Sequence, residues 1–205
     1  SLDPCQYRRR RRRTADHLDR TVILMKSTRI ILILAILTTS LMSQTQISNL
    51  KSQISDIKEP LIVVKKSKRR LELFDGKRLV RQYKMVLGFA PTGDKEVEGD
   101  GRTPEGEFYV FTKNAESRFH LSLGISYPAP EDAKRGIDNK LITSEEADAI
   151  AEATANGEMP PQKTALGGEI YIHGGGTDND WTDGCVALKD EEITELFNAV
   201  PVGTK

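Results

Sequence analysis

Cysteine is nearly missing from this chain: Cys5 and Cys185 are the only two among 205 residues. Cys5 lies in a stretch without fold-like patterning, so no disulfide framework is expected and Cys185 is left without a partner. Net charge is also missing, since 30 Lys and Arg balance 30 Asp and Glu. The balance conceals an asymmetry, because nine basic and three acidic residues precede Gln44 and leave 21 basic against 27 acidic after it, a body near −6. Such a body lacks the basic face of a nucleic-acid binder, and no nucleic-acid partner is expected. No apolar run reaches the roughly 20 residues of a membrane-spanning helix. Spacing of the C-x-x-C or H-x-x-x-H kind is absent, so no metal site is expected, and the body shows no internal repeat or low-complexity segment. What remains is a chain of one-domain size plus extensions, able to bury a core without staples.

Six consecutive arginines, Arg8 to Arg13, dominate residues 1–24, which carry no apolar periodicity. We read residues 1–24 as a non-native or mis-started extension and give the arginine run no function, although its composition matches a nucleic-acid or nuclear-localisation patch. Met25-Lys26-Ser27-Thr28-Arg29 followed by the apolar run Ile30 to Leu37 has the n-region and h-region of a secretory signal. Residues 25–43 are therefore expected to be a signal peptide or, uncleaved, an N-terminal membrane anchor, with the body periplasmic or exported to the cell envelope. Ile47, Leu50, Ile54 and Ile57 then recur at spacings of three, four and three, which predicts an amphipathic spacer helix over 44–59.

From Pro60 the period changes to that of strands. Leu61 to Val64, Arg70 to Phe74 and Leu79 to Phe89 read as a β meander, with Asp75-Gly76 as a hairpin turn. Ala90 to Gly106, rich in Gly and Pro, reads as a long surface loop of the kind that often carries function. Further strands are predicted over Glu107 to Thr112 and Arg118 to Ser126. In the second, alternation puts His120 and Ser122 on one face and Phe119, Leu121 and Leu123 on the other, making His120 a candidate substrate contact. Thr143-Ser144-Glu145-Glu146 is a capping box opening a helix through about Asn156 that Gly157 can end. A strand over Gly167 to His173 and a last helix from an Asp190 cap through about Ala199 complete the domain, 60–205.

The stretch from Tyr171 to Leu188 carries the chemistry. Eleven residues, three of them consecutive glycines, separate His173 from Cys185. A thiol at its ordinary pKa is only a few per cent thiolate at neutral pH, so a nucleophilic Cys185 needs a nearby base or a field that lowers its pKa, and His173 can supply both. The imidazole needs a third group to fix its tautomer: a backbone carbonyl of Gly174 to Gly176, or the side chain of Asp178, Asp180 or Asp183. Gly184 permits a backbone conformation other residues resist, and amides there can face a developing oxyanion. Trp181 and Thr182 sit on the approach to the thiol. The plain alternative is a small buried cysteine with a structural role.

Gly167-Gly168-x-Ile-x-Ile-His173-Gly, Trp181-Thr182-x-Gly184-Cys185-Val186-Ala187-Leu188 and the upstream Gly99-Asp100-Gly101-Arg102-Thr103-Pro104-Glu105-Gly106 together resemble the L,D-transpeptidase catalytic domain family. Phe119 to Pro128 is similar to its short, periplasmic murein transpeptidase-like branch. The resemblance implies a mainly β, sandwich-like domain with a few peripheral helices, acting on peptidoglycan stem peptides without metal or cofactor. It implies Cys185 as nucleophile, His173 as base and the backbone at Gly174 as the group orienting the histidine. Trp181, Thr182, Asp183, Gly184 and His120 are the candidate substrate contacts. A thioester would form with loss of a terminal D-alanine and pass to an amine acceptor, a second stem or a wall-anchored protein. Water as acceptor would make a thiol amidohydrolase that cuts a cross-link or a protein–peptidoglycan linkage, and an inert thiol would make a silent wall-binding module. Three positions depart from the family pattern: Asp183 replaces its usual histidine, the His173–Cys185 interval is short, and Ala187 stands where many members carry a polar or basic residue.

Overall fold

The computed structural model of the protein describes residues 56–205. The expected extension, the expected signal peptide or anchor and most of the expected spacer helix lie outside the described residues; Asp56 to Glu59, the last of that expected helix, form a turn and bends. Among the described residues no helix is long and apolar enough to cross a membrane.

Two sheets and three helices make up the domain, mainly β with peripheral helices. The first sheet is an antiparallel meander of β1 (Pro60–Lys65), β2 (Arg70–Asp75) and β3 (Arg78–Lys84). Its β2–β3 turn has Gly76 at the first central position with φ +57, which a tight hairpin reserves for glycine. The second sheet has the order β4 (Val110–Ser117), β5 (His120–Ile125), β6 (Tyr171–His173), β7 (Val186–Ala187), antiparallel except for the parallel β6–β7 pair. Leu71, Leu73 and Tyr83 from the first sheet and Met85 just beyond it meet Leu123, Ile172, Val186 and Leu188 around the second. Ile193 and Leu196 of α3 (Asp190–Ala199) belong to the same buried cluster. At about 1.5–3 kcal/mol for each large aliphatic side chain fully buried, this cluster is the main source of stability. Helices α1 (Pro130–Asp138) and α2 (Ser144–Asn156) enclose a smaller cluster of Ala133, Ile142, Ile150 and Leu166.

Several boundaries differ from the sequence reading, each for a local reason. The run Leu79 to Phe89 leaves its sheet at Lys84; Val86 and Gly88 instead bridge to Ala187 and Thr182, so this segment ties the first sheet to β7 and to the loop before Cys185. The strand placed at Glu107 to Thr112 lies later, over Val110–Ser117, because it pairs with β5 as far as Ser117↔His120. His120 adopts φ +73, which breaks the alternation assumed for it: Ser122 is buried while His120 is exposed. Gly167 to Ile170 does not continue β6, since Gly167 and Glu169 hold φ of +83 and +54. The capping box at Thr143 and the left-handed Gly157 bound α2 as expected. The cap of α3 is Lys189, and Asp190 is its first helical residue. Helix α1 was not foreseen; Pro130 in its first turn and Asp132, whose carboxylate accepts from the Ala129 amide at 2.8 Å, are the signals that mark it.

Candidate active site

Parallel pairing of β6 with β7 sets Ile172 against Val186 and His173 against Ala187. Cys185, one residue before β7, then falls opposite Tyr171, whose N–H points at Cys185 Sγ at 3.3 Å. The thiol itself faces the Glu169 carbonyl at 3.6 Å. His173 is offset by two residues along the strands, about 7 Å at a rise of roughly 3.3 Å per residue. No hydrogen bond joins Sγ to the imidazole among the described residues, yet both side chains line one cavity of about 1010 Å³.

His173 is held tightly. Its Nδ1 lies 2.5 Å from the Gly174 carbonyl oxygen. A carbonyl only accepts, so Nδ1 carries the hydrogen and Nε2 keeps the lone pair that a base requires. Of the orienting groups open from sequence, the Gly174 carbonyl makes this contact; Asp180 instead pairs with Arg69 at 2.7 Å and accepts from the Leu87 amide at 2.9 Å. Gly174 donates to the Phe119 carbonyl at 3.0 Å, and a Cβ there would meet Asp190 Oδ1 at 2.5 Å and Phe119 O at 2.7 Å, so only glycine fits. Asp190 accepts from the Gly175 amide at 2.9 Å, which moors the glycine loop to the start of α3.

Rings surround the imidazole. Phe119 stacks on it at 4.6 Å between centroids, and Trp181 stands edge-on to both rings, 5.6 Å from His173 and 5.4 Å from Phe119. This burial, with the nearby positive charge of Arg118, pushes the His173 pKa below its ordinary value, against the pull of the Gly174 carbonyl. Cys185 keeps some exposure toward the cavity, but the protein packed around its sulfur pushes the thiol up to about 11. The Asp183 and Glu169 carboxylates act in the same direction, while the Tyr171 amide and the Lys95 ammonium oppose it. The lowered thiol pKa expected from sequence is thus reversed: burial favours the neutral form of both groups, the thiol of Cys185 and the imidazole of His173.

The other sequence candidates take distinct places. Trp181, Thr182 and Asp183 line the cavity. The Thr182 hydroxyl is turned into its own loop, donating to the Cys185 carbonyl at 2.7 Å and accepting from the Gly184 amide at 3.2 Å. Gly184 has the unusual backbone expected of it, φ +130, but its amide is thereby occupied rather than free for an oxyanion. His120 is not brought to the cavity; its Nε2 contacts Thr194 Oγ1 on α3 at 2.8 Å. Sequence reasoning missed three groups. The Tyr171 amide has no side-chain signal. Lys95, with its side chain 3% exposed and paired with Asp100 at 2.9 Å, reaches the cavity wall from the long loop. Arg118 lines the cavity from the β4–β5 turn.

A family model, the L,D-transpeptidase catalytic domain, matches residues 59–205. Comparison with curated proteins gives no match. Among solved structures, a point mutant of the helical cell shape determining protein Pgp2 from Campylobacter jejuni is similar at TM-score 0.50 and 23% identity, over 73% of this chain and 46% of that one. Bd1075 of Bdellovibrio bacteriovorus is similar at TM-score 0.46 and 18% identity, over 73% and 46%. L,D-transpeptidase 1 of Mycobacterium tuberculosis is similar at TM-score 0.39 and 13% identity, over 71% and 58%. The chain thus spans about half the length of these proteins.

Proposed function

Because the chain belongs to the L,D-transpeptidase catalytic domain family, we propose that it is a cysteine-dependent L,D-transpeptidase acting on peptidoglycan stem peptides in the cell envelope. The observation that carries this is the juxtaposition of Cys185 and His173 in one cavity, with Nδ1 of the histidine committed to Gly174 and Nε2 left to move a proton.

In the first step His173 Nε2 takes the Cys185 thiol proton as Sγ attacks the carbonyl carbon of the third residue of a donor tetrapeptide. A carbon–sulfur bond forms and the carbonyl oxygen becomes an oxyanion. The intermediate collapses with cleavage of the carbon–nitrogen bond; the terminal D-alanine leaves as the amine, taking the proton back from His173. The thioester then meets an acceptor amine, which attacks the same carbon, loses its proton to His173 and expels the thiolate, which that proton returns to the thiol. The Tyr171 N–H beside Sγ stabilises the sulfur whenever it carries charge. Neutral reactants suit this sequence, since a base buried below its ordinary pKa is unprotonated at neutral pH and ready to accept.

Incubating the protein with a tetrapeptide-bearing muropeptide tests the reading. Released D-alanine and an amide product when amine is supplied support transfer. A free-acid product insensitive to added amine supports a thiol amidohydrolase, and unchanged substrate contradicts both. Pgp2 is described as determining helical cell shape, and we extend that as the cellular process in which to look for an effect of this protein.

A further inference from the structure

Seven arginines lie among the described residues. Six of them pair with carboxylates: Arg69 with Asp180, Arg70 with Glu72, Arg78 with Asp75, Arg81 with Glu195, Arg102 with Glu96 and Arg135 with Asp94. Arg118 alone has no acidic partner among them, and it alone of the seven lines the cavity that holds Cys185 and His173. An arginine without an anion, at the edge of a site whose substrate is an acidic peptide, is a vacant half of an ion pair.

An aromatic ring lies beneath it. The guanidinium carbon sits 4.7 Å from the centroid of the Phe119 ring, within the range of a cation–π contact. Phe119 stacks on the His173 imidazole, and its carbonyl accepts the Gly174 amide, so the platform under Arg118 is the same one that holds the base. A guanidinium lying on a ring keeps its in-plane N–H edge available, the edge that takes a carboxylate through two parallel bonds. Ala187 offers nothing to an anion: its methyl is fully buried and its backbone is paired with Val86.

We propose that Arg118 is a specificity-determining residue that binds a free carboxylate of the stem peptide and so registers the scissile carbonyl over Cys185. This rests on the transpeptidase reading for the substrate class, but binding and turnover can be measured separately. Trp181 is the chain's single tryptophan and lines the cavity, so its fluorescence reports occupancy directly.

The test titrates the full chain carrying Cys185→Ala with a stem tetrapeptide, following Trp181 emission. Adding Arg118→Ala should weaken binding at least tenfold, and Arg118→Lys should recover part of the loss. Amidating the peptide's free carboxylates one at a time should give one peptide that binds the parent as weakly as the unmodified peptide binds the Arg118→Ala chain, and that no longer distinguishes the two. With Cys185 intact, Arg118→Ala should raise KM by the same factor and leave kcat within about threefold. Because Arg118 is exposed, its removal should leave the melting temperature unchanged within a degree or two, which excludes misfolding as the cause. Binding within twofold of the parent, an equal loss for every amidated peptide, or no binding of the tetrapeptide to the parent would overturn the assignment. Binding that depends on Arg118 without thioester formation would uphold it and overturn the transpeptidase reading instead.

Discussion

His173 Nδ1 stands 2.5 Å from the carbonyl oxygen of Gly174, its own neighbour in the chain. The contact fixes the tautomer without any side chain, because Gly174 is itself locked by its bond to Phe119 O and by the lack of room for a Cβ. Replacing Gly174 with alanine would push that Cβ to within 2.5 Å of Asp190 Oδ1 and 2.7 Å of Phe119 O. The loop must move, and a displacement of about 1 Å at the base costs on the order of 100-fold in rate. We expect Gly174→Ala to lower kcat by about that factor; steady-state D-alanine release by a folded variant, checked by circular dichroism, measures it.

Asp190 acts one step further out, through the Gly175 amide it holds at 2.9 Å. Asp190→Asn keeps an oxygen acceptor and should retain most activity, whereas Asp190→Ala orphans the amide and should cost about 1 kcal/mol of stability with a larger loss of kcat than of KM. The comparison of the two variants in kinetics and thermal melts separates a positioning role from simple loss of charge.

Burial sets the pH behaviour of the pair. With the thiol pushed up to about 11, the free protein carries about 100-fold less thiolate near neutral pH than a thiol at 9.0. Alkylation of Cys185 by iodoacetamide should therefore be slow at pH 7 and rise with pH toward a midpoint near 11. The histidine is lowered, so it is neutral above its own pKa and charges only as pH falls below the ordinary 6.5. Turnover should stay flat as pH falls through 6.5 and drop only below it; a pH–kcat/KM profile with its acid limb above 6.5 would contradict this.

The wall of the cavity depends on a buried ion pair. Lys95 and Asp100 meet at 2.9 Å with side chains 3% and 11% exposed. Burial opposes the Asp100 charge, but hydrogen bonds from the Glu96 amide, the Lys95 ammonium and the Arg102 and Val97 amides hold its carboxyl at about 2. Its contribution to stability is present above the ordinary 3.8 and is lost as pH falls through about 2. Asp100→Ala leaves a buried ammonium and should cost about 3–5 kcal/mol, read from denaturant unfolding at pH 7, with the difference from the parent shrinking in acid.

Much of this was legible beforehand where local chemistry decides. The Asp75-Gly76 hairpin, the Thr143 capping box with Gly157, and the pairing of the His173 strand with the segment that follows Cys185 all follow from residue type and spacing. Legibility failed where distant contacts decide. His120 looked like a face-sharing strand residue, but its left-handed backbone turns it to Thr194. Leu79 to Phe89 kept a strand-like composition while crossing between sheets. Arg118 carried no signal, because what distinguishes it is the absence of a partner that every other described arginine finds. The direction of the Cys185 shift was not legible either, since it comes from packing around the sulfur that only the tertiary fold supplies.

The central claim is that Cys185 becomes acylated by a stem peptide with loss of D-alanine. Intact-mass and peptide-mapping spectrometry of the protein quenched in acid after mixing with a tetrapeptide donor, without acceptor, tests it most directly. The account predicts a hydroxylamine-labile adduct on Cys185, with the mass of the donor less D-alanine, that is absent in Cys185→Ala and strongly reduced in His173→Ala. An unmodified Cys185 in a protein that nonetheless turns over the donor, or no turnover and no adduct at all, would contradict it.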